Sequence, residues 1–244
     1  MKRNAIVTGS NGGIGRAVIE ELAHSGFNIW ACMRNGNDET LHFFEQIANS
    51  NDIMITPVYF DVTDTNTLKK EIKNILKSKE SIDVLVNVAG ISHGGLFQAT
   101  PINTIKEVFE INLFSYMEIT QLVLKAMYRQ RNGSIINVAS IAGIDLKPGN
   151  SAYGVSKAAV IAWTKTLAAE VGGFNIRVNA VAPGLTDTRM ASNMEKKAGN
   201  EMIDESAMKR LANPYEIAKV ITFLASENSS FVNGEVIRID GGKI

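Results

Sequence analysis

The chain has 244 residues, with 25 Lys and Arg against 25 Asp and Glu, and 45% of its residues are hydrophobic. That even balance excludes the basic footprint of a nucleic-acid binder, and no apolar run reaches the ~18 residues of a membrane span. The single Cys32 excludes an internal disulfide, and no Pro/Gly/Ser-rich stretch, charge run or repeat divides the chain, so one domain over 1–244 is expected.

The first element is a strand near 4–8, built on Ala5-Ile6-Val7, which runs into Thr8-Gly9-Ser10-Asn11-Gly12-Gly13-Ile14-Gly15-Arg16. A helix near 13–25 follows through Val18, Ile19 and Leu22. Strand, glycine loop and helix in that order form a phosphate site, because glycines let the backbone approach a pyrophosphate whose charge rests on the helix N-terminus. Further strands are expected near 28–33, 53–60, 83–87, 134–139, 175–181 and 235–239. Helices are expected near 38–49, 65–78, 103–130, 151–171 and 214–226. Regular alternation of this kind implies a doubly wound parallel sheet, α/β in class, with helices on both faces.

Ligands in such sheets bind beyond the carboxyl ends of strands, and Ser140 closes the strand at 134–139. Downstream, Tyr153-Gly154-Val155-Ser156-Lys157 sets a tyrosine and a lysine four residues apart, hence on one helix face. A tyrosine ionises near pH ~10, and a neighbouring ammonium lowers that value toward useful acid–base range. Asn112 falls inside the helix at 103–130, where asparagine carries a small cost. The histidines His24, His42 and His93 show no ligand spacing, so no metal site is expected.

Thr8-Gly9 with Gly13-Ile14-Gly15, Asn87-Val88-Ala89-Gly90, Asn112, Ser140, Tyr153 with Lys157, and Pro183-Gly184 follow one another in the order and spacing of a known pattern. The chain resembles the short-chain dehydrogenase/reductase family in its single-domain form. The resemblance implies seven parallel strands in the order 3-2-1-4-5-6-7 and a catalytic set of Asn112, Ser140, Tyr153 and Lys157. In that set the tyrosine moves the proton, the serine holds the substrate oxygen, the lysine binds the nicotinamide ribose and tunes the tyrosine, and the asparagine supports the relay behind the lysine. It also implies cofactor contacts from Gly9, Ser10, Asn11, Gly13, Ile14, Gly15, Asp61, Val62, Asn87, Ala89 and Gly90, with Pro183, Gly184, Thr186 and Thr188 around the carboxamide.

Where a carboxylate would hold the ribose diol, the chain has Met33 followed by Arg34. An arginine pairs with a 2′-phosphate, so NADP(H) is expected, with NAD(H) as the alternative. The segment 185–210 carries Met190, Met194, Met202 and Met208 and reads as a substrate lid, adaptable methionines suiting an apolar ligand. The ending Arg210-Leu211-Ala212-Asn213-Pro214 is similar to 3-oxoacyl-thioester (acyl-carrier-protein) reductases. Of the two basic residues those enzymes present to the carrier protein, one matches Arg131 and the other falls on the uncharged Phe174. That loss argues against carrier docking and keeps a free sugar, alcohol or other small metabolite open as substrate. A non-catalytic sensor on the same fold would have lost the tyrosine or the lysine, and both are present.

Leu113, Phe114, Met117, Leu122, Val123 and Met127 crowd one helix, and Val160, Ile161, Trp163, Leu167 and Val171 the next. Such excess over one apolar face marks an interface, and the resemblance implies a homotetramer. With Met-Lys-Arg-Asn leading straight into the first strand, a cytoplasmic protein is the expectation.

Overall fold

A computed structural model describes residues 2–78, 80–192 and 203–243 of the chain. Seven strands, β1 (Asn4–Thr8), β2 (Asn28–Met33), β3 (Ile55–Tyr59), β4 (Val84–Asn87), β5 (Gly133–Val138), β6 (Ile176–Pro183) and β7 (Val236–Ile239), form one sheet in the order β3-β2-β1-β4-β5-β6-β7. Every neighbouring pair is parallel. Successive side chains of a strand leave opposite faces of the sheet. Val7, Val86 and Ile136 therefore meet α1 (Gly13–His24) and a C-terminal helix, Pro214–Ala225, through Val18, Leu22, Ile217 and Ile221. On the other face Ile6, Leu85 and Ile135 meet α3 (Thr65–Lys77), α5 (Ser115–Gln130) and α6 (Tyr153–Val171) through Leu68, Ile72, Ile119, Val123, Leu167 and Val171. Further helices are α2 (Asp38–Asn51), α4 (Ile102–Phe109) and the single turn α7 (Arg189–Ser192), and Pro214–Ala225 is labelled α8. No helix among the described residues is long and apolar enough to cross a membrane.

One element departs from expectation. The helix expected over 103–130 is interrupted, because Glu110–Phe114 winds as a π-helical turn between α4 and α5. Asn112 lies in that turn with its amide anchored to another segment: Nδ2 donates to the Ile91 carbonyl (2.9 Å), and Oδ1 accepts from the Ile91 N–H (2.9 Å). Ser115 donates its hydroxyl to the Ile111 carbonyl at 2.7 Å, satisfying an acceptor within the irregular turn. Single π turns of this kind gather at functional sites.

Apolar excess on the two paired helices is mostly consumed within the chain. Leu113, Leu122, Val123, Met127, Val160, Leu167 and Val171 are all buried, while Phe114 is half exposed and Met117, Ile161 and Trp163 are partly so.

Helix starts separate structural ends from open ones. Asn37 caps α2 by accepting from the Thr40 N–H, Asp64 caps α3, and Asn213 with Glu216 forms a capping box behind Pro214 of α8. α1 begins after Gly12, which has no side chain to offer, and carries no acidic residue in its first turn. Its first N–H groups are left for an anion.

Candidate active site

A cleft of about 740 Å³ opens beyond the carboxyl ends of the central strands, where the strand order reverses between β1 and β4. Its walls include Ile14, Gly90, Ser140, Tyr153, Lys157, Pro183, Gly184, Thr186 and Thr188, so residues spread over most of the chain meet in one place.

The glycine loop enters it by close approach. Gly9 has φ +63°, and a Cβ there would lie 2.9 Å from the Ala89 backbone, while a Cβ on Gly15 would lie 2.1 Å from the Gly9 carbonyl oxygen. Thr8 Oγ1 accepts from the N–H groups of Val88 (3.0 Å) and Ala89 (3.2 Å), which fixes the loop after β4 against the loop after β1. Thr188 reaches this loop from beyond β6: a side chain at position 13 would collide with its Cγ2 at 2.6 Å. An uncapped helix start and a backbone cradle without side chains fit a pyrophosphate. Ser10 is fully buried and gives its hydroxyl to the Cys32 carbonyl (3.1 Å), whereas Asn11 donates to the Asn35 carbonyl (2.9 Å). Both hold the loop to the end of β2 through their side chains.

Arg34 is exposed at the end of β2, its Nη1 3.8 Å from Asp61 Oδ2. Asp61 accepts from the N–H and the hydroxyl of Thr63 at 2.9 and 2.7 Å, and these bonds hold its carboxyl below the usual carboxylate range. It thus caps its own turn as well as facing Arg34. Val62 beside it packs on the α3–α5 side of the core. Asn87 is turned away from the cleft: it is fully buried, and Nδ2 donates to Asn137 Oδ1 (2.9 Å) and Thr120 Oγ1 (3.3 Å). The register of β4 on β5 sets Asn87 opposite Asn137, so this side chain belongs to a polar strip under α5.

At the chemical end, Ser140 caps a 3₁₀ turn, Ile141–Gly143, by accepting from the Ala142 N–H at 3.1 Å. That bond occupies a lone pair and leaves the hydroxyl proton free to be donated. Tyr153 opens α6 in the first turn, without a side-chain cap ahead of it. Burial raises the Tyr153 pKa, and the Ser140 side chain opposes that rise by bonding the phenolate. Lys157 is 3% exposed, donates to the Val138 carbonyl at 2.8 Å, and is pushed down to about 7 by burial. The expectation that the lysine lowers the tyrosine therefore does not describe the free chain. There the ammonium is spent on Val138, and burial dominates both groups. Asn112 Nδ2 also reaches Ser156 Oγ (3.1 Å), and Ser156 gives its proton to the Tyr153 carbonyl (2.7 Å), so the π turn is bonded to the first turn of α6.

A family model described as enoyl-(acyl carrier protein) reductase matches residues 9–243. A 3-oxoacyl-[acyl-carrier-protein] reductase of Thermotoga maritima is 39% identical over 98% of this chain and 96% of its own length. The chain belongs to the short-chain dehydrogenase/reductase family. The enzyme of the same name from Chlamydia trachomatis is 34% identical over 99% of this chain and 97% of its own. Among solved structures, a levodione reductase superposes with a TM-score of 0.90 at 30% identity, covering 98% of this chain and 96% of that one. This short-chain dehydrogenase/reductase is accordingly an oxidoreductase with the family's seven-stranded single domain, and the family's nicotinamide cofactor matches the cradle above.

Sequence reasoning missed part of the cleft. Ile91 and Asn150 line it, as does His93, while Leu185 and Met190 line it from the segment 185–210 that the sequence marks as a lid. The Gly95 N–H donates to the Gly149 carbonyl at 2.9 Å, tying the loop that carries His93 to the loop that carries Asn150. Of the lid residues, Met190 lines the cleft and Met208 is exposed, while Met194 and Met202 lie outside the described residues. No cluster of metal-binding side chains occurs among the described residues.

Proposed function

We propose that this enzyme reduces the 3-oxo group of an acyl thioester to a secondary alcohol with NADPH. The observation that carries the reading is one cleft in which Ser140, Tyr153 and the buried Lys157 converge beside an uncapped helix start. The bound nicotinamide supplies the hydride. Ser140 donates its hydroxyl proton as a hydrogen bond to the ketone oxygen, and Tyr153 transfers its phenolic proton to that oxygen as C=O becomes CH–OH. The phenolate left behind sits in the first turn of α6 and one turn from Lys157, both of which favour negative charge. Ile91, Ile141, Leu185 and Met190 give an acyl chain an apolar wall. The segment 185–210 acts as a lid in this reading.

Acetoacetyl and longer 3-oxoacyl thioesters should oxidise NADPH, followed at its absorbance, with kcat/KM at least about ten-fold above that for free ketones, sugars or enoyl thioesters. Equal or better turnover of a free ketone would overturn the thioester assignment. A second reading, a free carbonyl metabolite as substrate, is favoured by Phe174. Its ring packs edge-on to Tyr128 at 4.6 Å and lies 5.7 Å from the Arg131 guanidinium, so position 174 offers no cation to an acidic carrier.

NADPH over NADH rests on Arg34. One charge-assisted contact to the 2′-phosphate is worth about 1.5–3 kcal/mol, hence roughly ten-fold or more in affinity. Arg34→Ala should close most of that gap in titrations of the two cofactors, and equal binding of both by the parent would remove the assignment.

We also expect a homotetramer. Phe114 on the α4–α5 side is half exposed, and Phe231, just ahead of the edge strand β7, is fully exposed. Light scattering at micromolar concentration should give a mass near four times 26.5 kDa. A mass near that of one chain would exclude it.

A further inference from the structure

Lys157 is a cation in a dry place, and few groups attend it. Beyond the Val138 carbonyl, its ammonium stands 5.2 Å from the centroid of the Tyr116 ring. Tyr116 comes from α5, is fully buried, and packs with Leu113, Ala139, Val160 and Ala180. Its hydroxyl lies 3.5 Å from the same Val138 oxygen, long for an O–H···O bond. Burial and the neighbouring Tyr153 both push its pKa up, so it stays a neutral phenol. The other sides of the ammonium offer little. A Cβ on Gly90 would come within 3.5 Å of it, Asn112 is committed to Ile91 and Ser156, and Tyr153 is the titratable neighbour on α6. His93 lines the same cleft. No carboxylate, histidine or second cation among the described residues alters the lysine, which burial alone moves.

We propose that Tyr116 is a positioning residue whose aromatic face holds the Lys157 ammonium against the Val138 carbonyl and keeps it charged near neutral pH. A ring face within about 6 Å attracts a cation, the more so when the pair is desolvated. The face does so without a carboxylate, which would draw the ammonium into an ion pair. An aliphatic side chain would fill the same space and stabilise no charge. The catalytic value of the charge rests on the role given to Lys157 above, whereas the charge itself is read in the free chain and stands apart from that role.

The test is the titration of the Lys157 ¹³Cε resonance in the free enzyme, assigned by its absence in Lys157→Arg. Tyr116→Phe retains the face and should leave the midpoint nearly unchanged. Tyr116→Leu should lower it by about one pH unit, since a desolvated cation–π contact is worth about 1–2 kcal/mol and one unit about 1.4 kcal/mol. Should the leucine variant fail to fold, pentafluorophenylalanine at position 116 keeps the shape of the ring while reversing its quadrupole, and the same acid shift is expected. An unchanged midpoint with the fluorinated ring overturns the proposal. So does an equal shift in Tyr116→Phe, which would assign the effect to the hydroxyl.

Discussion

Tyr153→Phe should lower kcat by about 10²–10⁴-fold, the usual contribution of a positioned acid, while leaving cofactor affinity within about two-fold. The substitution removes one oxygen and leaves the ring in place, so both the first turn of α6 and the Ser140 turn remain as they are. Ser140 keeps its bond from the Ala142 N–H, so the substrate oxygen still finds one donor. The residual rate then measures what positioning and the serine achieve without a proton source. Stopped-flow single turnovers, with cofactor binding read separately by fluorescence, check both halves of the statement. A variant within a few-fold of the parent would remove Tyr153 from the chemistry.

How legible the site was depended on the distance over which each residue finds its partners. Tyr153 and Lys157 are joined by helical period, and the glycine loop by its place between a strand and a helix, so both stood out in the sequence. The alternation of apolar runs located all seven strands to within a few residues, most clearly for the central strands β1, β4 and β5, which are buried throughout, whereas the edge strands β3 and β7 are only partly buried. The π turn did not stand out. Asn112 in that turn is anchored to the Ile91 backbone, 21 residues away in sequence, and helical periodicity carries no trace of such a partner. The resemblance implies a cofactor contact at Asn87, the last residue of β4, and the pairing of β4 with β5 commits its side chain to Asn137, which leaves only its backbone for such a contact. Tyr116 was one more bulky residue on an amphipathic helix until α5, β5 and α6 brought its ring to the lysine.

The direction in which the acid–base pair is tuned was equally hidden, since charge spacing is local and desolvation is tertiary. Spacing says that an ammonium beside a phenol favours the phenolate. The fold buries both groups, raises the tyrosine and lowers the lysine. In the free enzyme the lysine is therefore held where water would serve it better. Groups perturbed by burial in a cleft are a mark of function, and such sites trade stability for activity.

That trade gives the second large effect. Lys157→Met should abolish measurable reduction and yet make the free chain more stable at pH 6. With Lys157 near 7 in the folded chain, below the ordinary 10.5, the unfolded chain binds the proton more tightly. A depressed lysine thus costs folding its full amount below about pH 7, and the cost fades as pH rises toward the unfolded value. The gap between the two values bounds that cost at about 5 kcal/mol. Loss of the 2.8 Å bond leaves the buried Val138 carbonyl with the distant Tyr116 hydroxyl, returning about 1–3 kcal/mol. The methionine variant should therefore be about 2–4 kcal/mol more stable at pH 6, less so at pH 8.5, and no more stable than the parent by pH 10.5. Urea unfolding at those three pH values, without cofactor, reads the difference directly. An equally large gain at all three would mean that the methionine acts through packing alone, and a loss at pH 6 would mean that the lysine is not under strain in the free enzyme.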